Sequence, residues 1–320
     1  MNFADRLIDA IDKKKSYIVV GLDPDHRKIP KYFYDRKQDF YINKFDEISD
    51  IIYQFNRTII DIVAPIVPAV KPQIAFYERY GVFGVRAFLE TVQYAKSKGL
   101  IVIGDVKRND IGNTAHAYAD SYLGRVEIDG SNESVFDLDA ITVNPYLGSD
   151  GIIPFIDNVK EYNKGIFVLV KSSNPSSREI QDCFVCTEES DDLMLYEHIA
   201  QRVNFLGKDC VGNNGYSSVG AVVGGTHPVC AKSLRKIMPK SFFLVPGYGA
   251  QGATGKDLMN FFNKDGYGAL ISASRSINYP HGGYLDVDSN NFESMVAFAV
   301  MDMNRDINNN IITKKALLLK

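Results

Sequence analysis

Residues 100–114 read Leu-Ile-Val-Ile-Gly-Asp-Val-Lys-Arg-Asn-Asp-Ile-Gly-Asn-Thr, an apolar run that ends abruptly in a cluster of charge. From Leu100 to Val106 there is almost no alternation of polar and apolar side chains, which is how a parallel strand reads when both of its faces are buried. A helix-like segment, Ile111 to Leu123, follows at once. Strand, charged end and crossover helix together make one unit of a parallel α/β sheet. The rest of the chain repeats that unit. Strand-like runs recur at Tyr17 to Leu22, Val67 to Lys71, Ala140 to Val143, Ile166 to Val170, Val219 to Val223, Phe242 to Val245 and Gly268 to Ser272. Between and after them lie helix-like segments. The clearest is Phe45 to Ala64, where Ile48, Ile51, Ile52, Phe55, Ile59, Ile62 and Val63 recur at three- and four-residue steps. Others are Val82 to Lys98, Gly151 to Tyr162, Asp191 to Leu206, Pro228 to Met238, Gly255 to Asn263 and Asn291 to Met303. Strand–helix units in this number predict a single (β/α)8 TIM barrel over residues 1–320. An open doubly wound sheet is the alternative that periodicity does not separate.

Composition agrees with a large globular core. Of 320 residues, 45% are hydrophobic and 23% charged, which excludes disorder, collagen and coiled coil. The 36 Lys and Arg against 39 Asp and Glu lack the basic surplus that nucleic acid or an anionic membrane surface demands, while a small anionic ligand stays compatible. Residues 1–17 carry acids inside their apolar stretch and no small-residue cleavage site, so they do not read as a secretory signal. No apolar run approaches the ~18 residues of a membrane span. The four cysteines, Cys183, Cys186, Cys210 and Cys230, fit a reducing compartment, and a cytoplasmic protein is expected. Long loops are expected at about 25–44 (Asp25 to Lys44), 125–139 (Arg125 to Asp139) and 172–190 (Ser172 to Ser190). The first and third follow strands one and five, where a barrel places lids and binding loops. Asn304 to Asn310 reads as a polar tail.

The charged cluster after the third strand is the densest concentration of chemistry. Side chains alternate along a strand, so Asp105 and Lys107 are expected to point the same way into the barrel mouth, with Asp110 beyond the strand. Such a group can hold Lys107 protonated as a positioned general acid and press negative charge against a substrate carboxylate. A solvated ion-pair cluster is the alternative for this segment alone. Lys71 closes the second strand and Asp23, in Gly21-Leu-Asp23-Pro, closes the first; alone, each could simply reach for water. Together they converge on one mouth if the barrel holds.

After the seventh strand comes Val245-Pro-Gly247-Tyr-Gly249-Ala-Gln251-Gly252, and after the eighth Ser272-Ala-Ser274-Arg275-Ser. Glycines let backbone N–H groups approach an anion and an arginine grips phosphate oxygens, and these two loops are the frequent phosphate site of such barrels. Gly247-x-Gly249-x-x-Gly252 also fits a dinucleotide fingerprint, but it does not open a first βαβ unit and no ribose-binding acid follows the next strand. Cys183-x-x-Cys186 is a single pair without two further ligands at zinc spacing, and the five histidines show no ligand pattern, so no metal is expected.

Asp105-x-Lys107-x-x-Asp110-Ile-Gly-Asn-Thr114, with Gly21-Leu-Asp23-Pro, Lys71-Pro, Val170-Lys-Ser-Ser-Asn-Pro175 and Val245-Pro-Gly-Tyr-Gly-Ala-Gln251-Gly, closely resembles the orotidine 5'-phosphate decarboxylase family. The pattern is similar to its longer bacterial and protozoan type 2 branch, and runs from about Asp23 to Arg275. The resemblance implies a (β/α)8 barrel, normally a homodimer with shared active sites. It would convert orotidine 5'-phosphate to uridine 5'-phosphate and CO2 in pyrimidine biosynthesis without metal or other cofactor. It further implies Lys107 as proton donor to C6 of the pyrimidine and Asp105 beside the departing carboxylate. Asp110 and Thr114 would reach into the partner subunit's site. Lys71 would bridge Asp105 and the ribose, Asp23 would bind a ribose hydroxyl, and one serine of the Ser172–Ser173 pair, Ser173 before Ser172, would hydrogen-bond the base. Gln251 and Arg275, with Gly252 and Ser274 beside them, would serve the phosphate. Gln73 stands where some members place Asn, and the insertion 125–139 has no implied role. Magnesium-dependent sugar-phosphate relatives of this barrel share the Asp-x-Lys-x-x-Asp pattern but place a metal-binding glutamate where this chain has Lys71. A noncatalytic phosphate-binding barrel is the reading from a different class.

Overall fold

The computed structural model describes residues 1–35, 40–187, 190–249 and 252–318. Eight strands close into a parallel barrel in chain order. They are β1 (Ile18–Leu22), β2 (Ala69–Pro72), β3 (Ile101–Arg108), β4 (Ala140–Val143), β5 (Gly165–Lys171), β6 (Ser217–Val223), β7 (Ser241–Pro246) and β8 (Ala269–Ala273). Each of the expected apolar runs is a barrel strand. The helices are α1 (Phe3–Lys14), α2 (Lys44–Val63), α3 (Ala75–Glu78), α4 (Gly81–Ser97), α5 (Gly112–Tyr122), α6 (Ile153–Tyr162), α7 (Arg178–Gln181), α8 (Leu195–Leu206), α9 (Pro228–Ile237), α10 (Arg275–Asn278) and α11 (Ser289–Leu318).

Residue contacts group the chain into two compact units. The first comprises 1–9, 107–272 and 307–320 and carries β4 to β7, whose ladders run Ala140↔Gly165, Val219↔Ile166 and Ala221↔Phe243. Its interior is aromatic: Phe155, Phe167, Phe242, Phe243 and Phe261 are fully buried. The Phe3 ring occupies the space above Gly165, where a Cβ would stand 2.3 Å from a ring carbon, so only glycine can begin β5 there. The second unit comprises 10–106 and 273–306. There Asn43 caps α2 by accepting from the N–H groups of Phe45 (2.9 Å) and Asp46 (3.1 Å), which sets the helix start. α2 then buries Ile51, Ile52, Phe55, Ile59, Ile60 and Val63, and Phe33, Phe55 and Phe292 meet with centroids 5.6–6.2 Å apart.

Three segments differ from the sequence expectation. Asp191 to Leu206 was expected to be helical throughout, yet α8 begins only at Leu195, and Ser190–Met194 pairs antiparallel with Phe184–Thr187 as a hairpin. Gly255 to Asn263 holds no α-helix but a 3-10 turn, Asp257–Phe261; its buried residues Leu258 and Phe261 are three apart, the period of that helix. The polar tail Asn304 to Asn310 is helical, because Val300, Met303, Ile307 and Ile311 keep a buried stripe running through the asparagines. The insertion 125–139 holds an exposed hairpin, Val126–Ile128 with Ser131–Glu133.

Candidate active site

Strand register places the charged residues of the second unit. Gly21 pairs with Lys71 and Val70 with Val102, so Asp23 and Asp105 each stand one two-residue step beyond Lys71's level on the same face. Lys71 Nζ donates to Asp105 Oδ2 at 2.9 Å, with the two side chains 8% and 15% exposed. Burial opposes the ammonium, but Asp105 and Asp23 outweigh it and hold the lysine pKa above its ordinary value. Lys71 is therefore a buried, fully charged cation facing two carboxylates. Asp23 Oδ1 is itself buried and has no hydrogen-bond partner among the described residues. Ser274 and Arg275 open α10 just past β8, half-buried and exposed respectively. A Cβ on Gly21 would meet Ser274 Cβ at 2.8 Å, so glycine lets this loop lie against the end of β1.

In the first unit, Lys107 is exposed and adopts a left-handed backbone, φ 47°. Such a conformation costs a residue with a side chain about 1 kcal/mol or more, and strain of this kind collects at functional sites. It is held from β4: the Lys107 N–H donates to Thr142 Oγ1 at 2.9 Å and the Asn144 N–H to the Arg108 carbonyl at 3.1 Å. Lys107 thus departs from extended backbone inside β3, so strand alternation alone does not set its direction. Asp110 is half-buried and accepts from the Ile111 N–H at 2.8 Å, and Thr114 is exposed on the first turn of α5. Ile111 beside Asp110, and Tyr146, Leu147 and Ile153 from the end of β4 to the first turn of α6, are exposed apolar side chains.

Past β5, Ser172 is committed: its N–H and Oγ both bond the Gln181 amide, at 3.0 and 2.7 Å, and its Oγ lies 2.8 Å from Asn174 Oδ1. Ser173 is half-buried, and its backbone comes within 2.7 Å of where a Gly224 Cβ would be. After β7, Gly247, Gly249 and Gly252 take φ values of 113°, 65° and 95°, which only glycine adopts freely. Gln251 lies outside the described residues. Sequence reasoning gave no role to Lys171, fully buried at the end of β5 and paired with Asp182, although it closes an apolar strand as Lys71 does. It also passed over Gln181, Tyr77, Asn278 and Tyr279. Among the described residues no group of three or more His, Cys, Asp or Glu could hold a metal ion. No helix among them is long and apolar enough to cross a membrane.

Residues 16–278 match the model of the orotidine 5'-phosphate decarboxylase / HUMPS family. The orotidine 5'-phosphate decarboxylase of Caldicellulosiruptor bescii is 43% identical over 308 residues, 96% of this chain and 98% of that protein. The Rhodopirellula baltica enzyme of the same name is 41% identical over 96% of this chain and 99% of its own. Among solved structures, the Leishmania donovani OMP decarboxylase superimposes with a TM-score of 0.71 at 27% identity, covering 98% of this chain and 99% of that one. A Toxoplasma gondii structure assigned as an orotidine-monophosphate decarboxylase reaches 0.77 at 30% identity, covering 98% of each chain. With a closed barrel, charged strand ends and similarity of this extent, the chain belongs to the orotidine 5'-phosphate decarboxylase family.

Proposed function

We propose that this chain decarboxylates orotidine 5'-phosphate to uridine 5'-phosphate and CO2, using its own side chains and no metal or other cofactor. The observation that supports this most is the buried Lys71–Asp105 pair with Asp23 on the same face, on a strand that runs on into Lys107. In this reading the bond between C6 and the carboxylate carbon breaks, its electron pair stays on C6, and CO2 leaves. Lys107 then passes a proton to C6 and forms the new C–H bond. A protonated lysine is worth most when that carbanionic charge appears, so its effect is stabilisation of the transition state rather than of bound substrate. Asp105 stands beside the departing carboxylate, and Lys71 bridges Asp105 to the ribose. Asp23 Oδ1 takes a ribose hydroxyl. Ser173 meets the base; its neighbour Ser172 already has its hydroxyl engaged by Gln181. Arg275, Ser274, Gly252 and Gln251 grip the phosphate, and that remote binding energy organises the charged centre and excludes water.

The active form in this reading is a cytoplasmic homodimer in which Asp110 and Thr114 complete the partner's site. The exposed apolar residues Ile111, Tyr146, Leu147 and Ile153, after β3 and β4, are the surface such a dimer would cover. The deciding experiment follows the ultraviolet absorbance of orotidine 5'-phosphate with purified protein in EDTA. Loss of the orotate chromophore with uridine 5'-phosphate as product supports reaction, substrate and metal independence together. A flat trace from folded protein rejects the reading and directs attention to sugar phosphates with magnesium. Sharing of sites is tested by mixing Asp110→Ala chains with Lys71→Ala chains: recovered activity, about one native site per heterodimer, is expected. Silence after verified subunit exchange rules sharing out.

A further inference from the structure

The carbonyls of the segment that presents Asp23 each accept a side-chain donor, and the Leu22 carbonyl also takes the Gln73 N–H at 3.4 Å from the end of β2. Asn278 Nδ2 donates to the Gly21 carbonyl at 2.8 Å, the Tyr77 hydroxyl to Leu22 at 3.2 Å, and the Tyr279 hydroxyl to Asp23 at 3.2 Å. Each phenol is also an acceptor, which fixes its rotor. Tyr77 receives Asn56 Nδ2 at 2.9 Å, and Tyr279 receives the Asp25 N–H at 2.6 Å. Asn56 is in turn tied to Thr91 Oγ1 at 3.1 Å. Tyr77 and Asn278 are completely buried, and the Tyr279 ring lies parallel to Phe55, 9° apart at 5.8 Å. Burial pushes both phenols above the ordinary tyrosine pKa, so they stay donors across the working pH range. Pro24 follows Asp23, and it has no N–H to anchor the chain and begins a long connection, so nothing in the local sequence would hold this strand end still. Three side-chain donors, from α3, α10 and the residue after α10, add to the one main-chain bond from Gln73 and extend the anchoring to Gly21 and Asp23. The carboxylate they carry keeps one buried oxygen open.

We propose that Tyr77, Tyr279 and Asn278 are positioning residues that fix the end of β1 so that the Asp23 carboxylate meets a ribose hydroxyl of the nucleotide. This rests on the reading above that Asp23 takes such a hydroxyl; none of the three touches the ligand. Positioning differs from plain stability in what it predicts for ligands that lack the hydroxyl. The measurement is the dissociation constant of uridine 5'-phosphate and of its 2'-deoxy and 3'-deoxy forms, for the wild type and for Tyr77→Phe, Tyr279→Phe, their double variant and Asn278→Ala. A hydrogen bond to a carboxylate makes the wild type bind one deoxy form roughly 10- to 100-fold more weakly. In the double variant, whose rings and Phe55 stack are kept, that ratio is expected to shrink to about threefold, since only a held carboxylate gains from the hydroxyl. A wild-type ratio that persists unchanged in the double variant and in Asn278→Ala would show the three side chains to be structural only, with the Asp23 reading intact. Wild-type ratios near one for both deoxy forms would remove the Asp23 reading and this proposal with it, while turnover of orotidine 5'-phosphate tests the reaction separately. If the double variant does not fold, the single variants read the same ratio.

Discussion

Lys71 and Arg235 are both buried cations, and the barrel treats them in opposite ways. Lys71 closes β2 at its C-terminal end and faces Asp105 and Asp23, which hold it charged against the cost of burial. Arg235, on α9, serves the starts of β7 and β8. It makes five hydrogen bonds of 2.6–3.2 Å to the carbonyls of Phe261, Met238, Ser241 and Gly268, with its guanidinium 3.6 Å from the Phe243 ring centroid. Among the described residues no carboxylate forms an ion pair with it, and burial pushes it down to about 9, only partly offset by Tyr216 and Asp265. The difference is one of spare capacity. All five guanidinium donors are taken by main chain, which leaves nothing for a ligand, whereas Lys71 gives one of its three protons to Asp105. In this architecture the C-terminal strand ends carry chemistry and the opposite ends carry stability, and the two cations divide along that line.

Removing each charge separates the roles. Lys71→Met should lower kcat/KM by about a thousandfold or more, since it removes the cation that holds Asp105 and reaches the ribose, an effect of the size of losing preorganised electrostatics at a reacting centre. Its melting temperature should change less than that of Arg235→Met, because Lys71 makes one side-chain hydrogen bond, to the partly exposed Asp105, where Arg235 makes five to main chain. Arg235→Met should do the reverse: kcat within about twofold of the wild type, but unfolding free energy lower by about 2–4 kcal/mol, because four carbonyls lose the guanidinium donors, while Gly268 and Met238 keep a main-chain N–H from Phe243 and Ser241. Steady-state kinetics beside urea unfolding of both variants separates the two effects. An Arg235→Met enzyme that is stable but inactive would break the comparison.

The same contrast explains what is legible in the sequence. Barrel strands are legible because burial on both faces leaves uninterrupted apolar runs, and Asp23, Lys71 and Asp105 are legible because they end such runs on one face. Lys107 is legible as a residue but not in its backbone, since no sequence signal marks a lysine for the left-handed region; the loop is held by Thr142 and Asn144, more than thirty residues away in sequence. Tyr77, Asn278 and Tyr279 act through carbonyls of distant segments, and Arg235 through two near and two distant carbonyls, so none of them leaves a local side-chain pattern. The hairpin in the insertion does leave one. Asp129 and Gly130 form its two-residue turn at φ 51° and 80°, between paired Ile128 and Ser131, and Asp-Gly is a strong marker of that turn. It escapes a search for apolar alternation because its strands are exposed on both faces.

The smallest effect is the most specific, because the two cations should respond to alkali with opposite sign. Lys71 has a folded pKa above its unfolded value of about 10.4, so the stability it contributes is fully present below that pH and is lost as pH climbs through the folded value. Arg235 has a folded pKa below its unfolded value, so from about 9 upward the unfolded chain binds more protons and stability at this site rises with pH. Urea unfolding between roughly pH 8 and 11 should therefore show the wild type losing its advantage over Lys71→Met near the top of the range while gaining on Arg235→Met. Parallel slopes for the two variants would mean that the carboxylates around Lys71 do no more for it than carbonyls do for Arg235. The division between a charge kept for chemistry and a charge kept for the fold would then lose its electrostatic basis.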